Sequence, residues 1–342
     1  TQRRQQPQQA PTLSEADHRL QQGYEALDDG ALASAEEHFQ RVLALRARNA
    51  DALAGLGLVR LRQQRFGEAE RLLADASRAA PRRAKQWESA LRSARYWHTL
   101  ERAAAAERAD RADEAERELR KAIALDEREP TARLRLAGLL AQRGDYQAAE
   151  QLYRALLRER PQHADALQGL FETLAAQGKD DEALALIEEH GSTPGLSRRV
   201  GKLQARVLRR QAEQASDVDE RLALYQRALA LDPEDPWIRL ELAKLHLQRG
   251  DEREAHELID SLLLTHPDMA DALHAKALLA AESGQWWDGL RALERIAPAE
   301  RTEPMRQLQH RLWLQYQTQR VGILVRNGQP HAAQAVLQEL KQ

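Results

Sequence analysis

One spacing constrains this chain more than any other feature. Gly23 and Gly57 lie 34 residues apart, as do Ala35 and Ala69, Ala115 and Ala149, Ala149 and Ala183, Gly144 and Gly178, Gly250 and Gly284, and Pro233 and Pro267. A fixed period of this length marks a repeated supersecondary unit. Such a unit cannot bury its apolar face alone and must stack on its neighbours. No stretch alternates apolar and polar residues with period two, so strands are not expected. The clearest unit is Pro130–His163, PTARLRLAGLLAQRGDYQAAEQLYRALLRERPQH. Ala137 and Ala149 are the small residues that let two helices approach. Gly144 accepts the left-handed backbone that ends the first helix. Tyr153 is an aromatic four residues beyond Ala149, and Pro161 stops the second helix, since proline cannot continue the hydrogen-bond ladder.

Nine units can be placed, with first positions near Ala16, Ala50, Tyr96, Pro130, Ala164, Lys202, Pro236, Ala270 and Leu314. Helices of ~14 residues, each ~21 Å long, are expected. The register breaks before the third unit (12 extra residues, Ala84–Arg95), before the sixth (4 extra, around Gly191–Gly195) and before the ninth (10 extra, around Arg301–Pro304). These breaks would change curvature or act as hinges. GSTPG at 191–195 is the best hinge candidate and the expected first site of proteolysis, because glycine and proline punctuate it. The sixth unit is poor, with Arg221 where alanine belongs. Thr1–Thr12 is rich in Gln, Pro and Arg and reads as linker. The expected layout is therefore a disordered linker over 1–13, an array over 14–190, a hinge over 191–201 and a second array over 202–342. The chain begins at Thr1, not Met, and reads as a processed protein or an excised piece of a larger one.

Composition narrows the function. Lys and Arg number 51 against 53 Asp and Glu, a net charge of −2, which argues against nucleic-acid binding through a basic surface. No run approaches the ~18 apolar residues of a membrane-spanning helix. There is no cysteine, which excludes disulfides, thiolate metal sites and cysteine nucleophiles. Gly55-Leu56-Gly57 sits within a helical pattern, not between a strand and a helix, so it reads as packing and not as a phosphate loop. His246, His256, His266 and His274 lack the spacing of a metal site. Paired acids such as Glu188-Glu189 read as solvated helix faces. No enzyme, cofactor or metal is expected.

The 34-residue length and the order of small residue, glycine, small residue, aromatic and proline resemble the tetratricopeptide repeat. The resemblance implies an all-α superhelical solenoid of about nine helix hairpins, with irregular helices at the register breaks. Positions 2, 5, 9 and 12 of each first helix would line its inner wall. The chain has only two asparagines, Asn49 and Asn327, both expected in turns. The asparagine-lysine clamps and asparagine ladders of known sub-types are therefore missing. Candidate partner or glycan contacts are Tyr24, Trp87, Trp97, Trp237, Lys244, His274 and Trp287. Phe66, Tyr146 and Trp286 share position 17 and are expected to pack. Trp87, Tyr96 and Trp97 stand at the longest break, where filling the gap between two regular repeats competes with ligand stacking.

Several segments are more specific. ALAGLGLVRLRQQRFGEAERLL (Ala52–Leu73), KQWESALRSARYWHTLERA (Lys85–Ala103), ALQGLFETLAAQGKDDEALALI (Ala166–Ile187), ALYQRALALDPEDPWIRLELAKLHLQRGDEREA (Ala223–Ala255) and ALLAAESGQWWDGLRALERIAPAERTEPMRQLQ (Ala277–Gln309), in that order, resemble the periplasmic repeat region of the cellulose synthase operon protein C family. The likeness covers roughly Ala50 to Leu340. It implies a periplasmic scaffold within a larger outer-membrane export protein, linking an inner-membrane synthase to the export pore. Its partners would be proteins of the synthase and export complex, with peptidoglycan or the glucan chain as further candidates. The alternative is an intracellular adaptor that binds a peptide or protein tail.

Overall fold

The computed structural model describes residues 14–192 and 195–340, and among these it contains eighteen α-helices and no strand. Taken two by two in chain order they make nine successive pairs of a first and a second helix: α1 (Glu15–Asp28) and α2 (Leu32–Leu45), α3 (Ala50–Arg62) and α4 (Phe66–Ala79), α5 (Glu88–Arg108) and α6 (Ala112–Leu125), α7 (Pro130–Gln142) and α8 (Tyr146–Glu159), α9 (Ala164–Ala176) and α10 (Asp180–His190), α11 (Ser197–Gln214) and α12 (Val218–Leu231), α13 (Pro236–Gln248) and α14 (Glu252–Thr265), α15 (Ala270–Ser283) and α16 (Trp286–Glu294), and α17 (Glu303–Arg326) and α18 (Pro330–Glu339). The chain forms two compact units that divide at Gly178/Lys179, in the turn of the fifth pair. The linker expected over 1–13 lies outside the described residues, as do Thr193 and Pro194 of the expected hinge.

The period is written into the backbone. Fourteen residues after the first position of six units the chain turns through the left-handed region, at Gly30, Gly144, Gly178, Gly250, Gly284 and Gly328. Gln64 (φ 58°) and Asp110 (φ 54°) hold the same conformation at the same register position without glycine's freedom. Helix starts are capped where the sequence allows it. Asn49 Oδ1 accepts from the Ala52 amide at 2.9 Å, and Asp235 Oδ1 accepts from the amides of Trp237 (2.7 Å) and Ile238 (3.1 Å), with Pro236 opening α13.

Packing repeats as well. Phe39, Leu73, Leu119, Tyr153, Ile187, Tyr225, Ile259 and Leu293 occupy one register position on successive second helices, and all are buried. Glycines make room for the largest of them. A Cβ on Gly55 would meet the Phe39 ring at 2.4 Å, and one on Gly169 would meet the Tyr153 ring at 2.3 Å. The G-x-G of α3 is thus a packing feature, with Gly57 in turn closed over by Leu73. The sixth pair forms despite Arg221, because Tyr225 and Ala228 supply its buried face.

Seven of the eight junctions between successive pairs carry a polar clamp of one sense: an acid on the earlier second helix, a donor on or just after the next first helix. In the first unit, Glu36 is gripped by Arg60 (2.6 and 2.7 Å) and Gln63 (3.2 Å), Glu70 by His98 Nδ1 (2.7 Å), Glu116 by Arg143 (3.0 Å) and Glu150 by Gln177 (2.9 Å). In the second, Asp180 is held by Arg206 (3.0 Å), Asp219 by Arg249, and Asp260 by Lys276 (2.8 Å). The α16–α17 junction differs. There Arg301 folds back to donate to the carbonyls of Ile296 (2.9 Å) and Glu294 (3.1 Å), filling acceptors left open at the end of α16.

The extra residues at the register breaks mostly lengthen first helices. Ala84–Arg95 becomes the last turn of a 3-10 helix (Pro81–Trp87) and the start of α5, which reaches 21 residues. The residues before the sixth unit extend α11 to 18, and those before the ninth form a short 3-10 helix and extend α17 to 24. At the first break the good helix formers of ESALRSAR, with no proline or glycine among them, favour continuing a helix over opening a loop.

Candidate binding face

The seven sequence-predicted contact residues fall into different settings. In the first unit, Tyr24 is half-buried. Its hydroxyl donates to the Asp51 carbonyl at 2.8 Å and its ring meets Phe39 edge-on. Burial, reinforced by the Asp51 carboxylate, pushes the Tyr24 phenol up to about 12. Trp87 is only 7% exposed, with the Arg83 guanidinium 5.4 Å from its ring centroid. It fills the third-unit gap and offers no open face for stacking. Trp97 stacks on Phe66 at 5.9 Å and meets Tyr96 edge-on at 5.2 Å. Tyr96 is buried, and its hydroxyl accepts from the Ala132 amide at 2.9 Å. Burial pushes its phenol up to about 12. Of the position-17 residues, Phe66, Tyr146 and Trp286 each open a second helix and are half-buried.

In the second unit, three of the candidates lie on one pair of first helices. Trp237, at the start of α13, meets His274 of α15 edge-on at 5.5 Å. Lys244, about 10.5 Å further along α13 at 1.5 Å per residue, binds Glu241 at 2.8 Å and reaches Glu282 of α15 at 3.6 Å. Leu247, Leu278 and Ala281 pack half-buried against the same apolar cluster. Burial lowers the His274 pKa against a smaller opposing effect of Asp271, which favours neutral imidazole. Burial also works against the Lys244 ammonium, but the two carboxylates outweigh it and raise its pKa. The seventh candidate, Trp287, stands on α16, 48% exposed and stacked on Tyr316 at 5.0 Å. Sequence reading missed Glu241 and Glu282. The i,i+3 spacing of Glu241 and Lys244 was a usable signal for the first, whereas the second pairs across helices. Among the described residues no group of three or more His, Asp or Glu could hold a metal ion, and no helix is long and apolar enough to cross a membrane.

Helices packed on their sequence neighbours within each compact unit, recurring at a 34-residue period, define a repeat scaffold. The tetratricopeptide repeat profile matches residues 26–94, 140–207, 211–282 and 100–164, and the chain belongs to this family. Over 325 residues it is 37% identical to cellulose synthase operon protein C of Pseudomonas fluorescens (strain SBW25), covering 94% of this chain and 25% of that protein. Over 326 residues it is 39% identical to cellulose synthase operon protein C of Xanthomonas axonopodis pv. citri (strain 306), covering 93% of this chain and 21% of that protein. The chain thus spans a quarter or less of the length of these relatives. Among solved structures it is similar to the P58(IPK) TPR domain, with a TM-score of 0.38 and 14% identity over 90% of this chain and 99% of that one.

Proposed function

We propose that this chain is a periplasmic stretch of a cellulose export machine, a non-catalytic scaffold that links the inner-membrane synthase to the outer-membrane export pore. The observation that carries this reading is the identity of 37% to 39% with two proteins named for the cellulose synthase operon, sustained across more than nine-tenths of the chain. The architecture suits the role. Within each compact unit the helices pack mainly on their sequence neighbours, so each is built up locally and needs no larger core. Its contacts would be proteins of the synthase and export complex, with Tyr24, Trp97, Trp237, Lys244, His274 and Trp287 as candidate points of engagement and the glucan as a second class of ligand.

The test is crosslinking in living cells. A photoreactive residue is placed at exposed positions of the array within its parent protein, in a cellulose-producing bacterium, and adducts are identified by mass spectrometry. Adducts with synthase or export subunits, together with loss of secreted cellulose when the segment is removed, are expected. Adducts confined to cytoplasmic proteins, with secretion intact after removal, would refute the proposal.

A further inference from the structure

We infer that the α13–α15 face is a contact site for a neutral β-linked glucan chain, with Trp237 as its stacking platform. This rests on the cellulose-export reading for the identity of the polymer, but the choice of site comes from the chemistry of the face.

A helical wall that captures an acidic peptide tail through its side chains does so with cations free to meet the carboxylates. Lys244 is the cation at the centre of this face, and it is already held by Glu241 and Glu282. Arg239, also on α13, is spent on the carbonyls of Pro233 (2.8 Å) and Leu258 and on the Ser261 hydroxyl (2.9 Å). Lys276 on α15 is bound to Asp260. Asp271, which exerts the opposing pull on His274, adds another carboxylate. A face whose cations are committed and whose remaining charge is acidic repels an acidic or carboxylate-terminated ligand. It accepts hydrogen bonds from hydroxyl groups instead.

The other groups fit the same ligand. An indole offers a flat apolar surface with a polar edge, which suits one side of a pyranose ring. His274 both donates and accepts in its neutral form, so it can pair with a hydroxyl in either sense. The Trp237–His274 contact at one end of the two helices and the Lys244–Glu282 contact at the other tie α13 to α15. The platform is thereby fixed before a ligand arrives, which lowers the ordering cost of binding. Trp237 and Lys244 are about 10.5 Å apart along the helix, enough for consecutive sugar rings to lie against one face.

The experiment is a titration of the full chain with cellopentaose, followed by ¹H–¹⁵N NMR of the tryptophan indole signals, beside a parallel titration with an acidic peptide bearing a free C-terminal carboxylate. Saturable shifts of one indole, assigned to Trp237 by their absence in W237A, are expected with cellopentaose alone. Affinity should fall at least tenfold in W237A, fall less in H274Q, and stay unchanged in R253A, which alters an exposed residue of α14. Circular dichroism confirms that each variant remains folded. Should W237A unfold, W237F replaces it, with a smaller loss expected. No saturable shift with cellopentaose, a shift that persists in W237A, or binding of the peptide to this face would each overturn the inference. The crosslinking test of the scaffold role is independent: synthase adducts without a sugar response would leave the scaffold standing and remove the site.

Discussion

Tyr153 sits between two glycines that should respond oppositely to the same substitution. Gly169, on α9, faces the ring from the next pair; a Cβ there would lie 2.3 Å from Cζ, 2.4 Å from Cε1 and 2.6 Å from the hydroxyl oxygen. Carbon contacts are most favourable at about 3.5–4.0 Å, so the ring would have to retreat by more than about 1 Å. Tyr153 is 6% exposed and has little free space to move into. Overpacking of this kind costs about 1–3 kcal/mol, and alanine in a helix interior recovers about 0.5–1 kcal/mol over glycine, so Gly169→Ala should destabilise by up to about 2.5 kcal/mol. Gly138, on α7 of the same pair as Tyr153, differs. A Cβ there would meet only the Tyr153 hydroxyl, at 3.7 Å, an ordinary contact. Gly138→Ala should therefore stabilise by about 0.5–1 kcal/mol through the backbone effect alone. Urea unfolding followed by circular dichroism gives the sign for each variant. Hydrogen exchange of α8 and α9 amides gives it locally if the array does not unfold in one step. Gly169→Ala combined with Tyr153→Leu should cost less than the two single changes summed. Two single variants shifted in the same direction would refute the packing argument.

Four further outcomes follow from the geometry. Gln64→Gly should stabilise by about 1 kcal/mol, because it relieves a left-handed residue that bears a Cβ; thermal melting checks it. Tyr96→Phe should destabilise by about 1–3 kcal/mol, since the Ala132 amide loses its buried acceptor, and should speed exchange at that amide. The hydrogen bond from Arg60 holds the Glu36 carboxyl down at about 2, against an ordinary 4.5. Because the folded pKa is depressed, this stabilisation is fully present above about pH 4.5 and is lost as pH falls toward 2. Urea unfolding between pH 3 and pH 6 should show a shallower pH dependence in Arg60→Met. Arg301→Ala should loosen the α16–α17 junction while sparing earlier ones, read as faster amide exchange confined to α16 and the start of α17.

The fold was legible because the period fixes which residues meet. Six first helices begin within one residue of their first positions, whereas α5, α11 and α17 begin 8, 5 and 11 residues earlier, and the small residue with its large neighbour four positions on marks the buried side of most second helices. The turn of the second and third pairs was harder to see, since Gln64 and Asp110 carry no glycine signal. The structure alone shows that the extra residues at the breaks mainly become added helical turns, because local helix propensity does not reveal whether an insertion will loop out or wind on. The candidate face was half legible. Trp237, Lys244 and His274 stood out by residue type and register, but their grouping depends on contacts between helices more than thirty residues apart. Trp87 shows the limit of residue type, since a tryptophan at an irregular point can fill space as readily as it can present a surface.

The one-way sense of the junction clamps has a consequence for how such a scaffold changes length. Glu116 and Glu150 occupy the same register position, and Arg143 and Gln177, which grip them, also correspond. Excising one full period, residues 130–163, would bring Glu116 to Gln177 and recreate a carboxylate–amide pair already present at the next junction. Inserting a period would do the reverse. Reversing a hairpin, in contrast, would set acid against acid and donor against donor. At this junction a whole hairpin can thus be lost or gained by recombination within a gene with no new polar pair to invent.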